Sequence, residues 1–240
     1  MGVRLAGLVD PASGGAMTTK VRAAIAVAIL AVAVVGFVVY VAAFARHRPP
    51  SVAVVVGADG TATLTLQTVG TLGHGHHGDW PSYLVQRPDG SWAHATTFQL
   101  PANSTVRVKV LEYDTQTGLR NNFFALPQGL VNGEMTIDDG SSSQTVSAVD
   151  PSTVAHTWTI PGMGISVPLV GVANNAPNQC TTAPCDESTA HRTIEFVIRT
   201  GEKGHYRWQC IVPCAPGGFL FGNGGPMQTV GYMGGFVDVA

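Results

Sequence analysis

The pattern of apolar and polar positions changes abruptly near residue 50. From Ala23 to Ala45 the chain reads AAIAVAILAVAVVGFVVYVAAFA without a charged residue. As a helix, a run of this length spans about 34 Å, enough to cross a hydrocarbon core of ~30 Å. Lys20 and Arg22 precede the run and Arg46 and Arg48 follow it, so flanking charge sets no orientation. Ala43-Phe44-Ala45 has the small-x-small form of a signal-peptidase site. A signal core is usually only ~7–15 residues long, however, and the length favours an uncleaved anchor. The expectation is a cytoplasmic tail over 1–22, with Met17 as a second candidate start, and a transmembrane anchor (or signal peptide) over 23–45. The remainder then lies outside the cytoplasm as a single-pass cell-membrane protein.

Beyond residue 50 the segments are short, alternate with period two and are punctuated by Gly and Pro. Val52–Val56 and Thr61–Val69 read as a hairpin around Gly57-Ala58-Asp59-Gly60, and Trp80 to Trp92 as a strand pair around Pro88-Asp89-Gly90. Thr105 to Val110 alternates as a half-buried strand, and Thr193–Arg199 does so with Ile194, Phe196 and Ile198 inward. Tyr206, Trp208 and Cys210 share one face of the next strand. Tyr232 to Val239 is the last, where Gly234-Gly235 allow close packing or a bulge. Asn121 to Ser147 shows few periodic signals. With almost no helical pattern after residue 50, the chain predicts an antiparallel β-sandwich.

A formal charge of −2 with no basic run gives no reason to expect nucleic acid as a partner. No nucleophile-elbow sequence occurs and no Ser–His–acid or paired-carboxylate pattern stands out, so catalysis by this chain alone is not expected. The chemistry is concentrated in sulfur and imidazole. Cys180 and Cys185, in a Pro/Asn-rich loop, most simply form a local disulfide, which persists outside the cytoplasm. Cys210, Cys214 and Met227 follow a strand end in one Pro/Gly-rich loop, and thiolate with thioether is a soft donor set that selects copper. His74, His76 and His77 are capable of binding metal, although glycines around them fit a flexible exposed loop better. His94 is read as structural, His191 as exposed, and Asp138 and Asp139 as a solvated turn. His205 lies five residues before Cys210, an odd separation that turns it to the opposite strand face.

The stretch with Gly204, Tyr206, Gln209, Cys210 and Cys214 resembles the ligand loop of the binuclear copper (CuA) domain in subunit II of haem-copper oxidases. His156, Trp158, Pro161 and Gly164 fall on the landmarks of that family's other ligand segment. The family's second histidine and its methionine fall on Gly218 and Phe221, so both are missing there. The resemblance implies a cupredoxin-like Greek-key β-sandwich, all-β, behind one N-terminal transmembrane helix. It implies a linker and β extension over 46–99 and the cupredoxin-like domain over 100–240. It further implies a metal site of His156, Cys210, Cys214 and Met227, sufficient for one copper. Three functions stay open on the sequence: electron transfer beside a haem-copper oxidase or another redox protein, copper handling for oxidase assembly, and a metal-free interaction module in which Cys210 and Cys214 are oxidised.

Overall fold

In the computed structural model, which describes residues 18–42, 50–214 and 225–240, the uncharged run forms helix α1, Thr19–Tyr40. The helix begins four residues before the apolar run, because Lys20 and Arg22 are good helix formers and the chain turns extended only at Thr18 (φ −64, ψ 151). None of its side chains is buried. It is long and apolar enough for a membrane span, a test a signal sequence also passes. Residues 1–48 and 49–240 form two separate units. The Ala43-Phe44-Ala45 motif and Met17 lie outside the described residues.

The second unit is built of strands β1 (Ser51–Ala53), β2 (Val55–Val56), β3 (Ala62–Val69), β4 (Ser82–Gln86), β5 (Trp92–Ala93), β6 (Thr97–Leu100) and β7 (Thr105–Glu112). There follow β8 (Met135–Asp138), β9 (Ser143–Val146), β10 (Val154–Ile160), β11 (Ile165–Val170), β12 (Arg192–Arg199), β13 (Gly204–Gln209) and β14 (Gly234–Val239). One sheet runs β1-β6-β14-β13-β10-β11, the other β5-β4-β3-β7-β12-β8-β9 with β2 beside β3. The pairs β1·β6, β6·β14 and β3·β7 are parallel, so the sandwich is mixed rather than antiparallel throughout. Crossovers between the two sheets produce these pairs, and local alternation carries no information about them. Residues 51–100 supply strands to both sheets.

The predicted Val52–Val56 strand divides at Val54. Its first half pairs with β6 and its second half with β3, so the chain changes sheets there. The turn that follows is closed by Gly57 N–H to the Thr61 carbonyl at 2.9 Å, with Gly60 at φ +77. The unpatterned 121–147 region holds the β8–β9 hairpin, in which Met135 and Ile137 face the core and Thr136 and Asp138 do not. Its turn is not merely solvated: Asp139 accepts from Ser141 and Ser142 and pairs with Arg192 at 2.8 Å. His191 is half-buried against the Tyr113 ring, 5.0 Å away, rather than exposed. The last strand starts at Gly234, after a turn that contains Tyr232.

A single core joins the inward faces of β3, β7 and β12 to Phe98, Trp158, Trp208 and Val237 of the other sheet. Ile194, Phe196 and Ile198 all point into it, as their alternation predicts. Cys180 and Cys185 are bonded, in a second cluster with Leu72, Leu84 and Tyr113. The buried Gln67 side chain clamps that loop, donating to the Cys185 carbonyl at 2.8 Å and accepting the Cys185 N–H at 2.9 Å.

Close packing at the Gly234-Gly235 pair falls on Gly235. A Cβ there would lie 1.8 Å from the Thr96 carbonyl oxygen, which already accepts the Phe236 N–H and the Trp208 indole N–H. Gly235→Ala is therefore expected to force β14 off β6 and to lower stability by about 1–3 kcal/mol, as overpacking does. Urea denaturation measures it, and an unchanged midpoint would contradict the packing.

Candidate metal centre

Strand β10 is buried along its whole length. An irregularity in its pairing with β11 between Val154 and His156 sets the register in which His156 emerges. Strand β13 ends against β10 at the Thr159–Gln209 pair, so the next residue, Cys210, arrives beside Thr157. The chain then turns back on itself, and Cys214 meets the same point. One nitrogen of His156 and the sulfurs of Cys210 and Cys214 lie within 4.8 Å of one another, all buried. His156 Nδ1 stands 3.1 Å from the Cys214 sulfur and 3.8 Å from that of Cys210, and the two sulfurs are 2.9 Å apart. Both cysteines are free thiols.

The other imidazole nitrogen is held from behind. His156 Nε2 lies 2.8 Å from Asp114 Oδ2. Gly70 makes room for that carboxylate, since a Cβ there would lie 2.4 Å from Asp114 Oδ1. Because a carboxylate only accepts, Nε2 carries the proton and Nδ1 is the nitrogen turned toward the sulfurs. The Cys210 sulfur accepts the Thr157 N–H at 3.4 Å, and Ile211 N–H bonds the Thr157 hydroxyl at 2.9 Å. Tyr83 donates its hydroxyl to the Thr157 carbonyl at 3.2 Å. Thr157 thus fixes both chain segments.

Electrostatics separate the two thiols. Burial opposes charge on Cys210, but the Cys214 thiol, the His156 ring and the Thr157 N–H outweigh it and hold Cys210 well below the usual thiol range. Burial and the neighbouring Cys210 sulfur push Cys214 up. Burial likewise opposes charge on His156, and the Glu112 carboxyl, Asp114 and Cys210 overcome it, raising the imidazole well above its ordinary value. Glu112 itself is fully buried. It accepts the Asp114 N–H at 2.9 Å through one oxygen and leaves the other without a partner, and burial raises its carboxyl well above the carboxylate range.

These donors fit copper. One imidazole with its free nitrogen directed at two sulfurs, in a buried pocket with the ring held by a carboxylate, is a soft ligand set with its outer support in place. Met227 sits in the 3₁₀ turn Pro226–Gln228, partly buried against the same core. Pro226 accepts from Met233, whose carbonyl accepts the Cys210 N–H at 2.8 Å. Gly218 and Phe221 lie outside the described residues. His205 is on the outer face, bonded to Asp238 and stacked on Phe236 at 4.3 Å. His94 is half-buried and bonded to the Gly231 carbonyl. The loop of His74, His76 and His77 is tied rather than loose: Gly73 N–H bonds the Gly78 carbonyl at 2.7 Å, and His77 stacks on Trp80 at 3.8 Å.

Asp114 and Glu112 did not stand out as site residues in the sequence, yet a signal was there. The inward register Val106, Val108, Val110 continues onto Glu112 and Asp114, which puts carboxylates where period two demands apolar side chains.

No family model matches the chain, and no curated protein matches it. Among solved structures it is similar to a chain of a haem-copper terminal oxidase dimer seen by electron cryo-microscopy, at 12% identity and a TM-score of 0.28, covering 93% of this chain and 100% of that one. It is also similar to rusticyanin from Thiobacillus ferrooxidans, at 14% identity and a TM-score of 0.27, covering 75% of this chain and 77% of that one. Auracyanin B matches at 15% identity and a TM-score of 0.24, with 80% and 98% covered. At these scores the likenesses assign no function, and the reading below rests on the site.

Proposed function

We propose that this is a cupredoxin-like copper protein tethered to the membrane by α1, with residues 50–240 outside the cytoplasm. One copper ion is held by His156 Nδ1, Cys210 Sγ and Cys214 Sγ, with the Met227 thioether as a weak fourth ligand. The convergence of three donors within 4.8 Å in a buried pocket carries the reading. Bound copper would supply one-electron exchange between Cu(I) and Cu(II), and the soft donors suit the reduced ion. The chain's own contribution is to orient the imidazole through Asp114, to steady Cys210 through the Thr157 N–H, and to exclude water. Electron transfer beside a haem-copper oxidase is the use that the sequence resemblance favours, and copper delivery to such an oxidase would employ the same donors. Reduced full-length protein in detergent, titrated with copper, is expected to take up one equivalent and to develop intense thiolate-to-Cu(II) absorption. The spectrum of a mixed-valence pair is not expected, because Gly218 stands where the resembled family has its second imidazole. Failure to bind copper tightly would refute the site.

Proton competition gives a second check. His156 must lose a proton from Nδ1 to bind metal, and its raised pKa carries the competition above the ordinary imidazole range, so copper affinity should climb as the pH rises through that region. Asp114→Asn removes both the orienting carboxylate and part of that shift. Affinity is expected to fall by about 10–100-fold at alkaline pH, with a flatter pH dependence. A parallel displacement at every pH would mean that Asp114 is merely structural.

One observation favours the metal-free alternative. Two sulfurs on one ion at ~2.3 Å each stand roughly 3.7 Å apart, wider than the 2.9 Å found here. In the metal-free chain the thiols are close enough that oxidation to a disulfide competes with loading. Thiol counting on protein purified without reductant distinguishes the two states.

A further inference from the structure

We propose that His74 and His94 form a second metal site, separate from the His156/Cys210/Cys214 centre, that takes a divalent transition-metal ion and prefers copper(II) to zinc(II). The two histidines come from different loops, one in the Gly73–Gly78 turn and one between β5 and β6, yet their ring centres are 5.6 Å apart. Two imidazoles sharing one ion at about 2.0–2.1 Å each bring their ring centres to roughly 4.5–5.5 Å. The observed separation is just beyond that range, with the ring planes perpendicular, so binding an ion requires a small approach of one ring toward the other.

The donor nitrogen of His94 is prepared by the fold. His94 Nε2 bonds the Gly231 carbonyl, which only accepts, so this nitrogen carries the hydrogen and Nδ1 keeps its lone pair. An imidazole fixed from behind by a carbonyl is the arrangement that orients metal-binding histidines. His74 is held by its turn. Leu72 N–H bonds the Trp80 carbonyl and Trp80 N–H the His77 carbonyl, while Gly73 and Gly75 adopt φ +82 and +80. A Cβ at Gly73 would lie 2.6 Å from Thr182 Cγ2, so the turn is seated against the disulfide loop. Tyr232 completes the setting, its ring edge-on to both His77 and His94. His76, exposed in the same turn, is the candidate for a third nitrogen. Imidazole donors without sulfur favour copper(II) over zinc(II) by the ordinary affinity order.

The test is independent of the thiolate centre. Full-length protein in detergent carrying Cys210→Ser and Cys214→Ser is titrated with copper(II) and followed by electron paramagnetic resonance. An axial signal coupled to at least two imidazole nitrogens, without thiolate absorption, is expected. Adding His74→Ala, at an exposed position that leaves the fold intact, should weaken uptake by about 10-fold or more. His94→Phe should remove the two-nitrogen signal, with near-UV circular dichroism confirming the fold. Unchanged affinity in the His74→Ala protein, coupling to one nitrogen only, or no copper(II) uptake overturns the proposal.

Discussion

Cys210→Ser is expected to abolish the copper–thiolate absorption and to weaken copper binding by at least about 100-fold, beyond the 10–100-fold typical of losing an outer partner. Cys210 is the sulfur whose thiol the Cys214 thiol, the His156 ring and the Thr157 N–H hold below the usual range. A hydroxyl in its place is a harder donor and does not ionise near neutral pH. The fold should survive, because the replacement is nearly isosteric and the Thr157 N–H still meets an acceptor. His156→Ala has a different expected signature. It leaves two thiolates, which retain Cu(I), but removes the nitrogen that completes a Cu(II) site, so affinity for the oxidised ion falls much further than for the reduced one. Competition titrations in both oxidation states measure the difference. Equal copper binding by wild type and Cys210→Ser would show that the sulfur pair is not the copper site.

The largest effect on stability is expected from Trp208→Ala. The side chain is fully buried, stacked on Phe98 with ring centres 5.7 Å apart and met edge-on by Tyr83 at 4.7 Å. Its indole N–H donates to the Thr96 carbonyl at 2.9 Å. Truncation removes these contacts at the centre of the sandwich and should cost about 3–5 kcal/mol. In a domain of this size that lowers the melting temperature by roughly 10 °C or more. Trp208→Phe separates the terms: it keeps most of the ring packing, loses the hydrogen bond and should cost about 1–3 kcal/mol. Since Trp208 lies two residues before Cys210 on the same strand face, the alanine variant should also bind copper more weakly. A loss below about 1 kcal/mol in urea denaturation would contradict the packing.

The two kinds of sequence signal proved unequal. Strong alternation located β7, β12 and β13 with the correct face inward, because a half-buried strand writes its environment into every second residue. The Cys180–Cys185 bond was legible from two cysteines close together in a Pro/Asn-rich loop that holds no histidine motif. The β8–β9 hairpin was not, since only Met135 and Ile137 face the core and the intervening residues are polar. Sheet order was invisible for another reason: the parallel neighbours β3·β7 and β6·β14 are set by crossovers, which leave no local pattern. At the site, the sulfur donors stood out by residue type and shared loop, and His156 through the family resemblance alone. Thr157 was not, because its decisive groups are its backbone N–H and carbonyl, which every residue has. Asp114 was not singled out, although it continues the inward register of Val106, Val108 and Val110.

The clamp that Gln67 places on Cys185 bears on how four cysteines are sorted during maturation. Both of its hydrogen bonds go to main-chain atoms, so they form whatever the oxidation state of the sulfur. Cys180 and Cys185 pack in one hydrophobic cluster while Cys210 and Cys214 belong to the other. In the folded chain the thiols are therefore segregated, and thiol–disulfide exchange meets two local pairs instead of four interchangeable sulfurs. A crosslink between the pairs would require breaking the amide clamp and opening the sandwich core. The chain can thus acquire its structural bond while the other two sulfurs remain in reserve for a ligand.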